Sequence, residues 1–239
     1  MSDSLLRIIV IHPELLGTYG DGGNALVLAH RAKARGIQSE ILQISHEEVI
    51  PDSGDIYLIG GGEDRAQTTS AEALIKNRTS LSRALSNGAR MFAVCAGFQL
   101  LGEEFPGSDG MVKGVELLPI TSRPAAPHEK RIVGEIAVQS DLLGVMLTGF
   151  ENHRGRTILR GVPPLGFTKL GVGNGDDGVA VDGAIYEGII ATYMHGPALA
   201  RNPELADYLL GPGLAPFDEA IAADFALERR NNARKLAFL

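Results

Sequence analysis

Cysteine occurs once in the chain, at position 95, within the stretch RMFAVCAGFQLLG (90–102). The apolar run RMFAVC (90–95) predicts a strand and GFQLLGEEF (97–105) a helix, so the thiol stands at a strand-to-helix turn. In open α/β sheets the ligand crevice lies at the carboxyl ends of the strands. A tight turn there lifts a side chain out of the sheet, as in the nucleophile elbow of hydrolases. The start of the following helix offers partial positive charge and free N–H groups, which favour thiolate over thiol. Ala93, Ala96 and Gly97 are small enough for backbone and substrate to come close. Such a thiol suits attack on a carbonyl carbon. The competing reading is plain packing, since free cysteines are among the most buried residues.

A nucleophilic thiolate needs a proton shuttle, and histidine is the usual one. Of the six histidines, His12 ends the first expected strand, His30 lies in an expected helix, and His46 and His128 fall in polar loops. That leaves His153, in ENHRGRT, and His195, in ATYMHGP. His195 closes an apolar strand before Gly-Pro, which puts it at the sheet's carboxyl edge beside the expected crevice.

One further segment could serve the same chemistry. IGGG (59–62) follows an expected strand and can bring bare backbone to a reacting centre, since glycine has no side chain in the way. Gly61 or Gly62, with the N–H of Ala96, are the candidates for an oxyanion hole. Three glycines also make an ordinary tight turn. The loop YGDGGN (19–24) fits neither the dinucleotide pattern nor the Walker pattern, so it reads as a helix-entry loop, and the chain is not expected to bind ATP.

These residues need a scaffold, and the first half predicts one. Strands are expected at 7–12, 39–45, 55–62 and 90–95, with helices at 24–36, 68–88 and 97–105. Asn24 is the expected N-cap of the first helix and Gly36 its stop. Such alternation indicates a mostly parallel sheet with helices on both faces. In the second half GVELLPI, RIVGEIAVQS, VMLTGFENH, LGFTKLGVG and GIIATYMHG predict successive strands, an antiparallel extension from which 188–194 returns to the core. Asn202, Pro203 and Gly211 bound a helix over 202–211, and 217–239 reads as a last one. No repeat or linker divides the chain, so residues 1–239 are expected to form a single domain.

Composition narrows the class. Hydrophobic residues at 44% and charged residues at 21% suit a soluble globular protein. A formal charge of −7, with no basic stripe and no tryptophan, argues against a nucleic-acid partner. The N-terminus lacks the basic and apolar regions of a signal peptide, and no run reaches membrane-spanning length. A cytoplasmic protein without an integral membrane segment is expected. One cysteine forms no internal disulfide and no multi-cysteine metal site, so no metal is expected.

VCAGFQLLG resembles the nucleophile motif of the class I (triad) glutamine amidotransferases, Gly-x-Cys-x-Gly-x-Gln. Cys95, Gly97 and Gln99 match, and Ala93 stands where the first glycine would be. YGDGGN, IGGGEDRAQ, FENHRGRT and ATYMHGP, in that order, are similar to the cobyric-acid-synthase branch of that superfamily. Within it the likeness is to the glutaminase (GatD) subunits of lipid II isoglutaminyl synthase, from the first strand to past residue 210. The resemblance implies the α/β, flavodoxin-like fold of class I amidotransferases, with Cys95 as nucleophile and His195 as its base. It also implies Arg131, in EKRIVGEI, as partner of the glutamine α-carboxylate, with Gln99 facing the same pocket.

Many relatives in the superfamily carry a glutamate two residues beyond the histidine, where this chain has Pro197. A dyad, an in-chain acid such as Glu151 or Asp207, or an acid donated by a partner subunit would fill the gap, the last being the most attractive. The implied activity is hydrolysis of L-glutamine, with ammonia passed to a Mur-ligase-like (MurT-type) synthetase in a heterodimer. That partner would hold ATP and Mg and amidate the D-glutamate α-carboxyl of the lipid II stem, leaving this chain without a cofactor. Two alternatives stand. A cobyric-acid-type amidotransferase would usually carry its own synthetase domain, whereas this sequence opens on the first strand. A non-catalytic binding module on the same fold would not need the Cys95, Gly97, Gln99 and His195 set.

Overall fold

The computed structural model describes residues 5–176 and 178–211, and the helix expected over 217–239 lies outside them. Its first half runs β1 (Leu6–Ile11), α1 (Gly23–Lys33), β2 (Ser39–Ile44), β3 (Ile56–Ile59), α2 (Asp64–Lys76), α3 (Arg78–Ser86), β4 (Arg90–Val94) and α4 (Ala96–Leu100). The second half adds β5 (Glu104–Gly107), β6 (Gly110–Lys113), β7 (Ile120–Arg123), β8 (Ile132–Ser140), β9 (Val145–His153), β10 (Arg156–Leu159) and β11 (Gly166–Leu170). It closes with β12 (Val181–Asp182), β13 (Ala184–Tyr186), β14 (Ile189–Thr192), α5 (Ala198–Arg201) and α6 (Pro203–Leu210).

The central sheet has the order β13-β14-β4-β3-β1-β2 and is parallel except for β13 at its edge. β1, β3, β4 and β14 are apolar runs such as RIIVI and RMFAV, almost wholly buried, as strands covered on both faces must be. The connection from β1 leads to β2 on one side, and that from β3 leads to β4 on the other. With right-handed crossovers, α1 and the α2–α3 pair therefore cover opposite faces. The strand order reverses between β1 and β3, so a crevice opens at their carboxyl ends.

The antiparallel strands are distributed more widely than a simple extension. β13 pairs with β14 on the central sheet, while the others form two four-stranded sheets, β10-β7-β5-β6, in which β5 and β7 run parallel, and β12-β11-β8-β9. The long β8–β9 hairpin reaches back to the core, where Phe150 and His195 exchange backbone hydrogen bonds of 2.8 and 3.2 Å.

Several expected boundaries shift for identifiable reasons. The helix expected over 68–88 breaks at Asn77, whose side chain accepts from the Ile50 N–H and donates to the Ala73 carbonyl. α4 stops at Leu100 rather than 105, and Glu104–Gly107 forms a strand instead. Of the expected strand GVELLPI (114–120), only Ile120 lies in a strand, and residues 114–118 wrap the end of that helix. The Val115 N–H bonds the Leu100 carbonyl, and those of Leu117 and Leu118 bond the Leu101 carbonyl. Gly22, not Asn24, precedes α1 at its cap, because the Asn24 side chain accepts from the Leu199 N–H.

Candidate active site

Cys95 sits between β4 and α4 with φ +53° and ψ −103°, a conformation that bulky L-residues avoid and that functional turns retain. Two contacts hold it there: its N–H bonds the Thr192 carbonyl at 2.8 Å, and its carbonyl accepts from the Gln99 N–H at 3.1 Å. Gly97 is small because α4 must lie against β3: an added Cβ would stand 2.7 Å from the Ile59 carbonyl oxygen. Alanine at position 93 does not prevent the turn; its methyl is fully buried in the sheet.

His195 follows the carboxyl end of β14, anchored through its backbone to Phe150. Its Nδ1 lies 2.9 Å from Asp21 Oδ2 and 3.2 Å from Oδ1, and both side chains are buried. Asp21 belongs to the loop between β1 and α1, and its Oδ2 also accepts the Gly61 N–H at 2.8 Å. The imidazole thus donates from Nδ1, which leaves Nε2, buried and without another protein partner among the described residues, for the thiol. Burial alone lowers the imidazole's proton affinity. The hydrogen bond to Asp21, together with the neighbouring Cys95, outweighs it, so the pKa rises from 6.5 to about 10. The site holds its imidazole as imidazolium at neutral pH.

The glycines of the β3–α2 loop let this cluster close. An added Cβ at Gly60 would stand 2.2 Å from the Leu16 carbonyl oxygen, so only glycine allows the β1 and β3 loops to meet. At Gly61 it would stand 2.7 Å from His195 Cε1 and 3.6 Å from Cys95 Cβ, which places that glycine between the two side chains. Gly61 commits its N–H to Asp21, so it is not free to bind an oxyanion. Gly62 lines the cavity beside Cys95 and, with the Ala96 N–H, remains the candidate.

That cavity, about 910 Å³, brings together Cys95, His195, Gln99 and Arg131. Gln99 is buried, and its Nε2 donates to Tyr193 Oη at 2.9 Å. Arg131 is exposed at the rim, its Nε donating to Asn152 Oδ1 at 2.6 Å. His153, the other histidine considered from sequence, also lines the cavity but stacks on Tyr193 at 3.8 Å between ring centres. Its Nδ1 is 3.0 Å from the Gly155 carbonyl, and burial lowers its pKa, so it stays neutral.

The acids proposed from sequence to orient His195 are elsewhere. Glu151 accepts the Val172 and Gly173 N–H groups at 2.9 and 2.8 Å. Asp207 pairs with Arg31 and Arg35 at 2.6 and 2.8 Å. Asp21 occupies the position instead, so Nδ1 needs no acid from a partner subunit. Sequence reasoning missed it by treating YGDGGN only as a helix entry. The available signal was an acid flanked by glycines just past the carboxyl end of a parallel strand, where the crevice opens.

Among the described residues, no group of three or more His, Cys, Asp or Glu could hold a metal ion, and no helix is long and apolar enough to cross a membrane. The arrangement can perform nucleophilic attack by a thiol with an imidazolium beside it.

A family model described as the CobB/CobQ-like glutamine amidotransferase domain matches residues 7–203. The GatD subunit of the glutamine-hydrolysing lipid II isoglutaminyl synthase of Staphylococcus aureus is 37% identical, over 86% of this chain and 83% of that protein. The GatD subunit of Streptococcus pneumoniae is 33% identical, over 87% and 80% respectively. A probable cobyric acid synthase of Methanothermobacter thermautotrophicus is 32% identical over 65% of this chain, but only 33% of its own length is matched. Among solved structures, PurLQS from Thermotoga maritima superposes with a TM-score of 0.57 at 14% identity, covering 86% of this chain and 97% of that one. A glutamine amidotransferase superposes with a TM-score of 0.54 at 18% identity, covering 84% and 96%. These two share the fold. The chain belongs to the CobB/CobQ-like glutamine amidotransferase family and, within it, groups with the GatD subunits.

Proposed function

We propose that this chain hydrolyses L-glutamine as the glutaminase subunit of an ATP-dependent ligase that amidates lipid II. The observation that carries the reading is the buried Asp21–His195 pair beside Cys95, on a strained turn opening into one cavity with Arg131. Similarity to the GatD subunits supports the choice of acceptor.

Arg131 takes the α-carboxylate of glutamine through its terminal amino groups. The Cys95 thiolate attacks the side-chain amide carbon, and the developing oxyanion is met by the N–H groups of Gly62 and Ala96. The C–N bond breaks as His195 passes its Nε2 proton to the leaving nitrogen, releasing ammonia. His195 then takes a proton from water, whose oxygen attacks the γ-glutamyl thioester. The C–S bond breaks, and glutamate leaves with Cys95 restored as thiolate.

Ammonia spilled into solvent would be wasted, and this chain has no Walker-type loop. A partner of Mur-ligase type, holding ATP and Mg, activates the D-glutamate α-carboxyl of the lipid II stem and receives the ammonia. The product is D-isoglutamine, made on the cytoplasmic side where ATP is available. The test is glutamate release from L-glutamine by the purified chain and by Cys95→Ser, each alone and with a co-expressed Mur-ligase-like subunit, followed by lipid II amidation. Activity that is lost in Cys95→Ser, with amidated lipid II when the partner is present, is the expected result. Glutamate release without amidation would reject the acceptor. No release in any combination would reject the enzyme.

A further inference from the structure

Tyr19 does not belong to the nucleophile, the imidazole or its acid, yet it touches that machinery and the substrate-binding rim at once. Its ring meets the His195 ring edge to face, with centroids 4.9 Å apart and planes at 62°. Its hydroxyl oxygen accepts from Asn152 Nδ2 at 2.5 Å, and Asn152 Oδ1 accepts from Arg131 Nε at 2.6 Å. An unbroken line of contacts thus runs from the guanidinium to the imidazole, along the wall of the cavity. Only the Nε of Arg131 is used in it, so both terminal amino groups remain for a carboxylate.

The backbone shows that this placement is imposed. Tyr19 has φ +59°, a left-handed conformation that a bulky residue adopts only when its surroundings require it. Tyr19 is 46% exposed, so burial of apolar surface does not supply the requirement. The neighbouring Thr18 N–H is tied to the Gly61 carbonyl at 3.1 Å, and Asp21 lies two residues further along the same loop. One short loop therefore carries two of the side chains that act on His195, and its outer end is gripped by Asn152 on β9.

We propose that Tyr19 and Asn152 are positioning residues that couple occupation of Arg131 by the substrate carboxylate to the alignment of His195. A carboxylate on Arg131 fixes the guanidinium and, through Asn152, the tyrosine ring and the loop that carries Asp21. The site then favours amides bearing an α-carboxylate at the chemical step and not only in binding, because binding energy remote from the reacting amide orients the catalytic group. This rests on the glutaminase reading above.

The experiment compares L-glutamine with 4-aminobutanamide, which keeps the amide and the amine but lacks the carboxylate, using the full chain with its synthetase subunit. For Tyr19→Phe and Asn152→Ala, the ratio of kcat/KM for glutamine over 4-aminobutanamide is expected to fall about fivefold to tenfold, with much of the glutamine loss in kcat. Adding Asn152→Ala to Arg131→Ala is expected to cost little more than Arg131→Ala alone, since the line is already cut. Equal losses on both substrates, or full additivity in the double variant, would overturn the coupling while leaving the glutaminase reading intact. No turnover of glutamine by the wild-type complex would overturn both.

Discussion

Asp21 and His195 are 174 positions apart in the chain and 2.9 Å apart in the structure. One follows β1, the other follows β14, and the two meet only because the β1 loop crosses the glycines after β3 to reach the imidazole. On the proposed mechanism this contact holds the imidazole in one orientation and keeps it protonated for the leaving amine.

Replacing Asp21 with asparagine is expected to lower glutaminase kcat by about 10²–10⁴-fold, in the range of a lost orienting acid or general acid. Asp21 raises the His195 pKa, which stands at about 10, so without it the imidazole loses its proton at lower pH. The alkaline limb of the pH–rate profile should therefore move down in Asp21→Asn. Rate profiles of the two proteins between pH 6 and 11 check this, and an unmoved limb would reject the assigned role.

Gly61→Ala tests how closely the loops must pack. The new methyl would fall 2.7 Å from His195 Cε1, and His195 is buried and cannot swing away freely. Activity is expected to fall by at least about 10²-fold with the fold retained, since displacement of a catalytic group by about 1 Å costs that much. Circular dichroism and a crystal structure of the variant would show a native fold with a shifted imidazole. Wild-type turnover would contradict the geometry.

Asp207 provides the contrasting case. It pairs with Arg31 and Arg35, both 4% exposed, far from the thiol in chemistry. Asp207→Ala is expected to cost about 1–3 kcal/mol, the range for depriving buried charged donors of an acceptor that is itself partly exposed. Urea unfolding should show the loss, while kcat per folded molecule should stay at the wild-type value.

Stability should also carry the mark of Asp182. Burial raises its carboxyl from 3.8 to about 7, against the lowering effect of hydrogen bonds from the Thr192 hydroxyl and the Tyr193 N–H. Between these values the folded protein keeps a proton that the unfolded chain releases. Its contribution to stability is therefore fully present below pH 3.8 and is lost as pH rises through about 7. His195 acts over a different window: its raised pKa contributes fully below pH 6.5, and the contribution is lost as pH rises through about 10. Asp182→Asn should flatten the stability profile between pH 4 and 7 in urea unfolding and leave the alkaline decline in place.

Much of this architecture was legible in the residues. Buried parallel strands are apolar throughout, and glycines, Asn202 and Pro203 punctuate the elements, so the sheet and the turn at Cys95 follow from local pattern. His195 was legible for the same reason, as the residue that ends an apolar strand. Asp21 was not, because its role is a contact between distant loops and its own neighbours spell only a turn. The shortness of α4 was hidden too: GFQLLGEEF carries helical character, but the carbonyls of Leu100 and Leu101 are taken by a segment fifteen or so residues on, as can happen at helix ends. The short strands β6 and β10 escaped because each gains its order from a neighbour, Met111 from Pro106 and Thr157 from Ser122, and not from its own alternation.

The central claim is that Cys95 is a nucleophile tuned for glutamine by His195 and Asp21. The most direct measurement is intact-protein and peptide mass spectrometry after exposure to a glutamine-mimicking chloroketone, with the full chain and its synthetase subunit. The account predicts a single adduct on Cys95, suppressed by excess L-glutamine and formed much more slowly in Asp21→Asn. Labelling that ignores L-glutamine, or a Cys95 that stays unmodified in the folded complex, would contradict it.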